Sequence, residues 1–378
     1  MRAAGASPVA PIIPSNHLPV PLAINELRRF AVARSFFPPT TLERALDTFA
    51  FVQADPIRAP ARAQDLTLRH RVEGHRAGDL ERRYTTLDVE EDFFVNYGFV
   101  TRVVQALMHP RVDAASWPAG RRKRTAAVLD FVRARTEVHP REVDHHFAHG
   151  TVTNYWGGSS NATTHLLDLM HYSGLLRVVR RESGVRVYSA RAPLPSPVNK
   201  AERDARLDRL IDVAVGTYAP LPGASLSNLV ARLRVGVPQW RRELKPALMR
   251  ARLRLAHVRV DGIDWYWPSA EHVATGELDG DVRLLAPFDP LVWDRRRFEL
   301  LWGWAYRFEA YTPANKRTRG YYALPLLWRD RVIGWGNLAV EAGALKADIG
   351  YIAGRPPRDR GFRHALDAEL ERLRLFLE

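Results

Sequence analysis

Gln53-Ala54-Asp55 places an amide and a carboxylate two residues apart, directly before Pro56. A carboxylate can stabilise a developing positive charge and can accept the proton of an attacking water, while an amide can hold that water in line. The pair therefore suits a hydrolysis. Residues i and i+2 share a face in an extended chain but lie about 200° apart on a helix, so both reach one site only where a helix has ended. Pro56 disfavours helical geometry at Asp55 and supplies such an end. Taken alone, the tripeptide reads more readily as a helix-stop turn with Gln53 an exposed end residue.

Cations follow the tripeptide closely. Arg58, Arg62, Arg69 and Arg71 are candidates for phosphate contacts, because guanidinium groups meet phosphate oxygens bidentately. A second basic group, Lys316, Arg317 and Arg319, lies between Pro313 and Gly320 ahead of a strand-like run, as a loop that a hairpin could present to DNA. Arg121-Arg122-Lys123-Arg124 reads either as a phosphate clamp or as a basic linker. The whole chain carries 56 Lys plus Arg against 42 Asp plus Glu, a formal charge of +14, which points to a polyanionic partner. Arginine runs interleaved with aromatic residues favour nucleic acid over a membrane surface. Cysteine is absent, which excludes disulfide frameworks, thiolate metal sites and thiol nucleophiles. His145 and His149 stand at i, i+4, but no Glu follows in the arrangement of zinc proteases, so no metal and no cofactor is expected.

These residues need elements to position them. At 378 residues the chain exceeds one core, and several small domains are expected. Residues 1–21 are rich in Pro and Ala and read as a flexible tail. Apolar spacing predicts one helix over 24–34 and a second, capped by Thr40 or Thr41, running through Asp55, within a first domain over 22–125. Over 126–195 helices at 126–135, 140–148 and 161–171 precede strands 175–181 and 185–190, the composition of a winged helix. The order recurs over 196–270, with helices at 203–217, 225–233 and 238–251 and a hairpin turning at Asp261-Gly262. Residues 280–378 read as a small α+β domain with strands at 319–328, 332–340 and 345–351 and a closing amphipathic helix over 360–377. The expected class is α+β: tandem winged helices, the first domain a divergent copy, followed by the C-terminal α+β domain.

The most telling stretch is Leu285-Ala-Pro-Phe-Asp-Pro-Leu-Val-Trp-Asp-Arg-Arg-Arg followed by Tyr306-Arg-Phe-Glu-Ala-Tyr-Thr-Pro-Ala-Asn-Lys-Arg-Thr-Arg-Gly-Tyr-Tyr-Ala-Leu-Pro. It resembles the signature of the YcaQ/AlkZ family of winged-helix DNA glycosylases, and Gln53-Ala54-Asp55 is similar to the Gln-x-Asp form of that family's catalytic motif. The resemblance implies a monofunctional glycosylase that releases N7-alkylated guanines, unhooks interstrand crosslinks and leaves an abasic site, with Gln53 and Asp55 catalytic. It implies damaged double-stranded DNA as partner, bound with little sequence preference by a monomer without deep base flipping. Where other members carry His-Glu, this chain has Asn96 and Tyr97, which are expected beside the site. No run of 18 apolar residues is present, so a soluble cytoplasmic protein associated with the nucleoid is expected. The rival reading is a DNA-binding transcriptional regulator with no chemistry, the commonest use of winged helices.

Overall fold

The computed structural model describes residues 22–111, 116–153, 158–273 and 278–378; the N-terminal tail lies outside them. The first unit holds α1 (Ile24–Ser35), α2 (Leu42–Phe49), β1 (Phe51–Gln53), α3 (Ala63–Leu68), α4 (Asp79–Arg82), β2 (Val89–Phe93), β3 (Tyr97–Thr101) and α5 (Arg102–Met108). Thr41 caps α2 through Arg44 N–H, as its position suggests. The helix does not reach Asp55. Ala50 turns into the left-handed region at φ 56° and closes α2, after which the chain extends into β1 and pairs antiparallel with β3, in the sheet order β1-β3-β2. An alanine carries no sequence signal for that turn, and Phe51 and Val52 continue the apolar pattern of the helix.

The second unit is α6 (Ala119–Arg135), α7 (Pro140–Phe147), the short pair β4 (Thr151–Thr153) and β5 (Ser159–Asn161), α8 (Ala162–Ser173), and the hairpin β6 (Leu176–Glu182) and β7 (Val185–Ala190). Arg121 to Arg124 lie exposed in the first turns of α6. The third has α9 (Lys200–Tyr218), β8 (Leu221–Pro222), α10 (Gly223–Arg232), α11 (Leu244–Arg254) and the hairpin β9 (Ala256–Val260) and β10 (Ile263–Trp267). Both hairpins turn where the sequence places them. Ser183 and Gly184, and Asp261 and Gly262, all have positive φ, the geometry of tight turns between twisted strands.

The last unit is a four-stranded antiparallel sheet, β11 (Val282–Leu284), β12 (Leu324–Trp328), β13 (Arg331–Glu341) and β14 (Ala344–Tyr351) in chain order, with α12 (Arg295–Trp302) in the long β11–β12 connection and α13 (Arg360–Leu377) packed against β11. The tight turns fall at Arg329-Asp330 and Ala342-Gly343, so the basic segment 313–320 is a connection into β12 and not the tip of a hairpin. The β12–β13 turn is docked, since Asp330 pairs with Arg28 on α1 at 2.9 Å. The β13–β14 end stands free, with Val340 exposed.

Three apolar clusters hold these units together, and each crosses their sequence boundaries. One joins α1, Phe51, Phe94 and Val95 to the third unit and residues 285–306. Another joins α2, Val52 and Phe99 to the second unit. The last joins Ala61 and Leu66 to the C-terminal sheet and α13. The strand β1 thus points successive residues into different cores, as strand alternation requires. Among the described residues no helix is long and apolar enough to cross a membrane.

Candidate active site

Alternation along β1 sets the position of Gln53. Phe51 faces the core shared with the third unit and Val52 the core shared with the second, so Gln53 returns to the side of Phe51. Its opposite residue on β3 is Gly98. A Cβ there would lie 2.3 Å from the Val52 carbonyl oxygen and 2.9 Å from Gln53 Cα, so only glycine lets the strands approach at this point. The chain stays extended beyond the strand, with Ala54 N–H donating to the Tyr97 carbonyl at 3.1 Å.

Asp55 is nearly buried, at 9% exposure. Its Oδ1 accepts from Ile57 N–H at 2.8 Å, the turn that Pro56 favours, and its own N–H donates to Oε1 of buried Gln64. Desolvation raises its pKa above the usual carboxylate range, opposed by the Ile57 hydrogen bond. No cation is paired with it among the described residues. Tyr311 and Tyr322 lie within reach of its charge: burial first, and the Asp55 carboxylate second, push both phenols up. The Tyr322 hydroxyl is buried without a partner.

Gln53 opens onto a cavity of about 570 Å³ between the first unit, α10 and the start of α12, with Asn96, Ser225, Asn228, Arg232, Trp293 and Phe308 in its wall. Gln53 Oε1 and Ser225 Oγ are buried there without hydrogen-bond partners. Unpaired buried polar atoms are rare and mark places where a ligand or water completes the set. Asn96 uses its Oδ1 to accept from Tyr97 N–H at 2.9 Å while facing the cavity.

Tyr97 is not part of this opening. Its hydroxyl donates to Glu91 and Arg186 stacks on its ring at 4.6 Å, so it belongs to an ion network under β2. In that network Glu90, Glu91 and Asp92, each no more than 2% exposed, are met by Arg177, Arg181, Arg186 and Arg191 from the second unit and by Arg111.

The cations expected at phosphates divide. Arg58 is exposed and lines a larger cleft of about 1080 Å³ between the first unit, the β6–β7 turn and the C-terminal sheet and helix. Arg62 lines it too but is ion-paired with Glu81. Arg69 and Arg71 are corrections. Arg69 is inside, at 2.5 Å from Glu369 on α13, and Arg71 is fully buried between Phe36 and Phe49, bound to Asp289 at 2.5 Å and to the carbonyls of Ser35 and Thr67. Both tie the first unit to the C-terminal unit, and neither can meet DNA. Their acidic partners stand 300 and 218 residues away, which no local pattern reveals. Lys316 is exposed, and Arg317 donates to the Thr312 carbonyl and covers Tyr321. Arg319 departs from expectation, since its guanidinium is held over Trp304 and Trp335 at 4.8 and 5.5 Å. Residues missed in the sequence are Ser225, Asn228 and Arg232, three positions of one helix face whose only signal is spacing.

The model of a family described as DNA glycosylase AlkZ-like matches residues 46–376. The fold is also that of the Streptomyces sahachiroi DNA glycosylase AlkZ, with a TM-score of 0.60 over 94% of this chain and 97% of that one at 13% identity.

Proposed function

Because the chain belongs to the AlkZ-like DNA glycosylase family and is a DNA glycosylase, we propose that it hydrolyses the N-glycosidic bond of N7-alkylguanine in duplex DNA, including lesions within interstrand crosslinks, at Gln53 and Asp55. The observation that carries this is the extended Gln53-Ala54-Asp55 segment, which sets an unpartnered amide in the cavity wall and, two residues beyond it, a desolvated carboxylate with no cation paired to it among the described residues. The family match, over most of the chain, leaves the regulator reading without support.

An N7-alkylated purine is already cationic and leaves without being protonated. The bond between the sugar carbon and N9 breaks with its electron pair passing to the purine, which becomes neutral, while positive charge develops on the deoxyribose. Asp55 stabilises that charge, strongly because the site is poor in water and no arginine neutralises the carboxylate. Gln53 holds the attacking water. The water oxygen bonds to the sugar carbon and its proton passes to Asp55, leaving an abasic site. Asn96, where relatives in this resemblance carry His, borders the water and cannot take a proton, so Asp55 alone serves as base.

We read the second and third units as winged helices and the first as a divergent copy, which with the C-terminal unit form a basic surface on the DNA backbone. The exposed β13–β14 hairpin and, separately, the exposed Lys316 suit contact with a DNA groove. A monomer binding phosphates through cations spread over several units would show little sequence preference. Incubation with methylated duplex DNA followed by alkali tests the reading: strand breaks at guanines support it, and retention without breaks would overturn it.

A further inference from the structure

The cavity beside Gln53 has a second end that the proposed hydrolysis does not use. There α10 begins at Gly223 after Pro222, and no side chain caps its first turn. The first N–H groups of a helix carry partial positive charge and need acceptors, which makes an uncapped end an anion site when other donors converge on it. They do so here. Ser225, in the first turn, is 2% exposed, and its Oγ faces the cavity with no partner. Arg232, two turns further along the same face, lies in the wall with its guanidinium 5.3 Å over the Trp293 ring. Arg295 and Arg296 enter from the start of α12.

The absence of acid partners sets these arginines apart. Most arginines around the site are tied to acids, among them Arg62, Arg69, Arg71 and Arg111. Arg232, Arg295 and Arg296 have no ion pair among the described residues. The one acid in the wall, Asp294, is spent on capping α12 through Arg297 N–H at 2.8 Å. The cavity therefore offers backbone N–H groups, a hydroxyl and guanidinium groups to one occupant, and that occupant is an anion with several oxygens.

We infer that the α10 end of this cavity binds one backbone phosphate of the damaged strand, with Ser225 and Arg232 as its side-chain ligands, and that this contact sets the adjoining sugar against Gln53 and Asp55. The inference rests on the glycosylase reading for the identity of the strand, but the phosphate site itself does not depend on excision. Its consequence is register. A fixed phosphate one sugar away places the glycosidic carbon without extruding the base, which a bulky or crosslinked guanine requires.

The test uses the full chain and duplexes with one N7-methylguanine, in which each phosphate near the lesion is replaced in turn by a neutral methylphosphonate. Binding and single-turnover excision are read for wild type, Ser225→Ala and Arg232→Ala. Arg232 is exposed, so its variant keeps the fold, and the substituted duplexes probe the wild-type protein in any case. Arg232→Ala is expected to weaken binding about tenfold and to lower the slope of log affinity against log salt by about 1. One methylphosphonate position should weaken wild type by a similar factor, and Arg232→Ala by less than about twofold further, because a contact already lost cannot be lost again. Losses that multiply at every position, or an Arg232→Ala protein that binds as wild type does, would overturn the site. Wild type that shows the coupled position yet releases no base would keep the phosphate site and remove the glycosylase reading; excision with no coupled position would do the reverse.

Discussion

At the residue scale the proposed chemistry turns on one carboxylate largely withdrawn from solvent. Asp55→Asn keeps the shape, the Ile57 hydrogen bond and the Pro56 turn but removes the charge and the base. Its excision rate should fall about a hundredfold or more with little change in affinity, measured by single-turnover release of N7-methylguanine beside fluorescence binding. Gln53→Ala should cost less, since a poorly placed water is still a nucleophile. Burial adds a pH signature. Because desolvation raises the Asp55 pKa, the carboxylate is protonated and inactive at acid pH and becomes active as pH rises through that raised value. The rate should therefore climb with pH along a limb lying above the ordinary aspartate range, and Asp55→Asn should flatten that limb. A limb at the unperturbed aspartate value would contradict the desolvated site. Pro56 made a non-helical Asp55 legible, while the role proposed for the tripeptide rests on its resemblance to the family motif. The cavity was not, because Ser225, Asn228 and Arg232 meet Gln53 only through packing of the third unit on the first.

At the scale of elements, periodicity located the helices and hairpins of the second and third units, missed α3, α5 and α12, and misjudged one end that matters. The helix expected through Asp55 stops at Phe49, because Ala50 adopts a left-handed conformation that alanine does not advertise. That early stop is what lets β1 form and aim Gln53. The connection 313–320 behaves differently from the hairpin loop its composition suggests. Glu309, 7% exposed, accepts from Thr318 N–H, Thr318 Oγ1 and Arg319 N–H, and Asn337 donates to the Arg319 carbonyl. The backbone is thus fixed from within while Lys316 stays in solvent. Replacing Lys316 and Arg317 together by Ala should leave thermal stability within about 0.5 kcal/mol and weaken duplex binding at low salt, with the loss shrinking as salt rises. An unchanged dissociation constant at low salt would show that this segment points away from the DNA.

At the scale of the whole molecule, a net charge of +14 suggests a surface covered in phosphate-seeking arginines, and many of them are instead internal. The consecutive acids Glu90, Glu91 and Asp92 on β2 are buried, and most of the arginines that meet them come from the second unit. Arg177, Arg181 and Arg191 reach in from the second, while Arg111 binds Asp92 at 2.5 Å and also the carbonyls of Tyr172 and Gly236, joining the first three units at one guanidinium. Sequence gives the charges but not the pairing of the second unit's arginines with β2 across 87 to 101 residues, so composition alone overstates the DNA-facing surface. The network makes a prediction about acid. Burial opposes ionisation of Asp92, but the Arg111 guanidinium and the His109 hydrogen bond outweigh it and hold the carboxyl well below the usual range; Glu91 is likewise lowered, burial being outweighed by Arg181 and Tyr97. A carboxylate whose pKa is depressed by folding stabilises the native state above its unfolded pKa, and that contribution disappears as pH falls through the native value. The melting temperature should therefore hold between about pH 7 and 5 and drop below about pH 4 as these acids are protonated. Asp92→Asn, which leaves Arg111 buried with no acid opposite, should cost about 3–5 kcal/mol at pH 7 and make the decline at low pH shallower than in wild type. Calorimetric melts of both proteins across that range decide it, and parallel pH profiles would mean that the units are held by their apolar clusters without help from the buried acids.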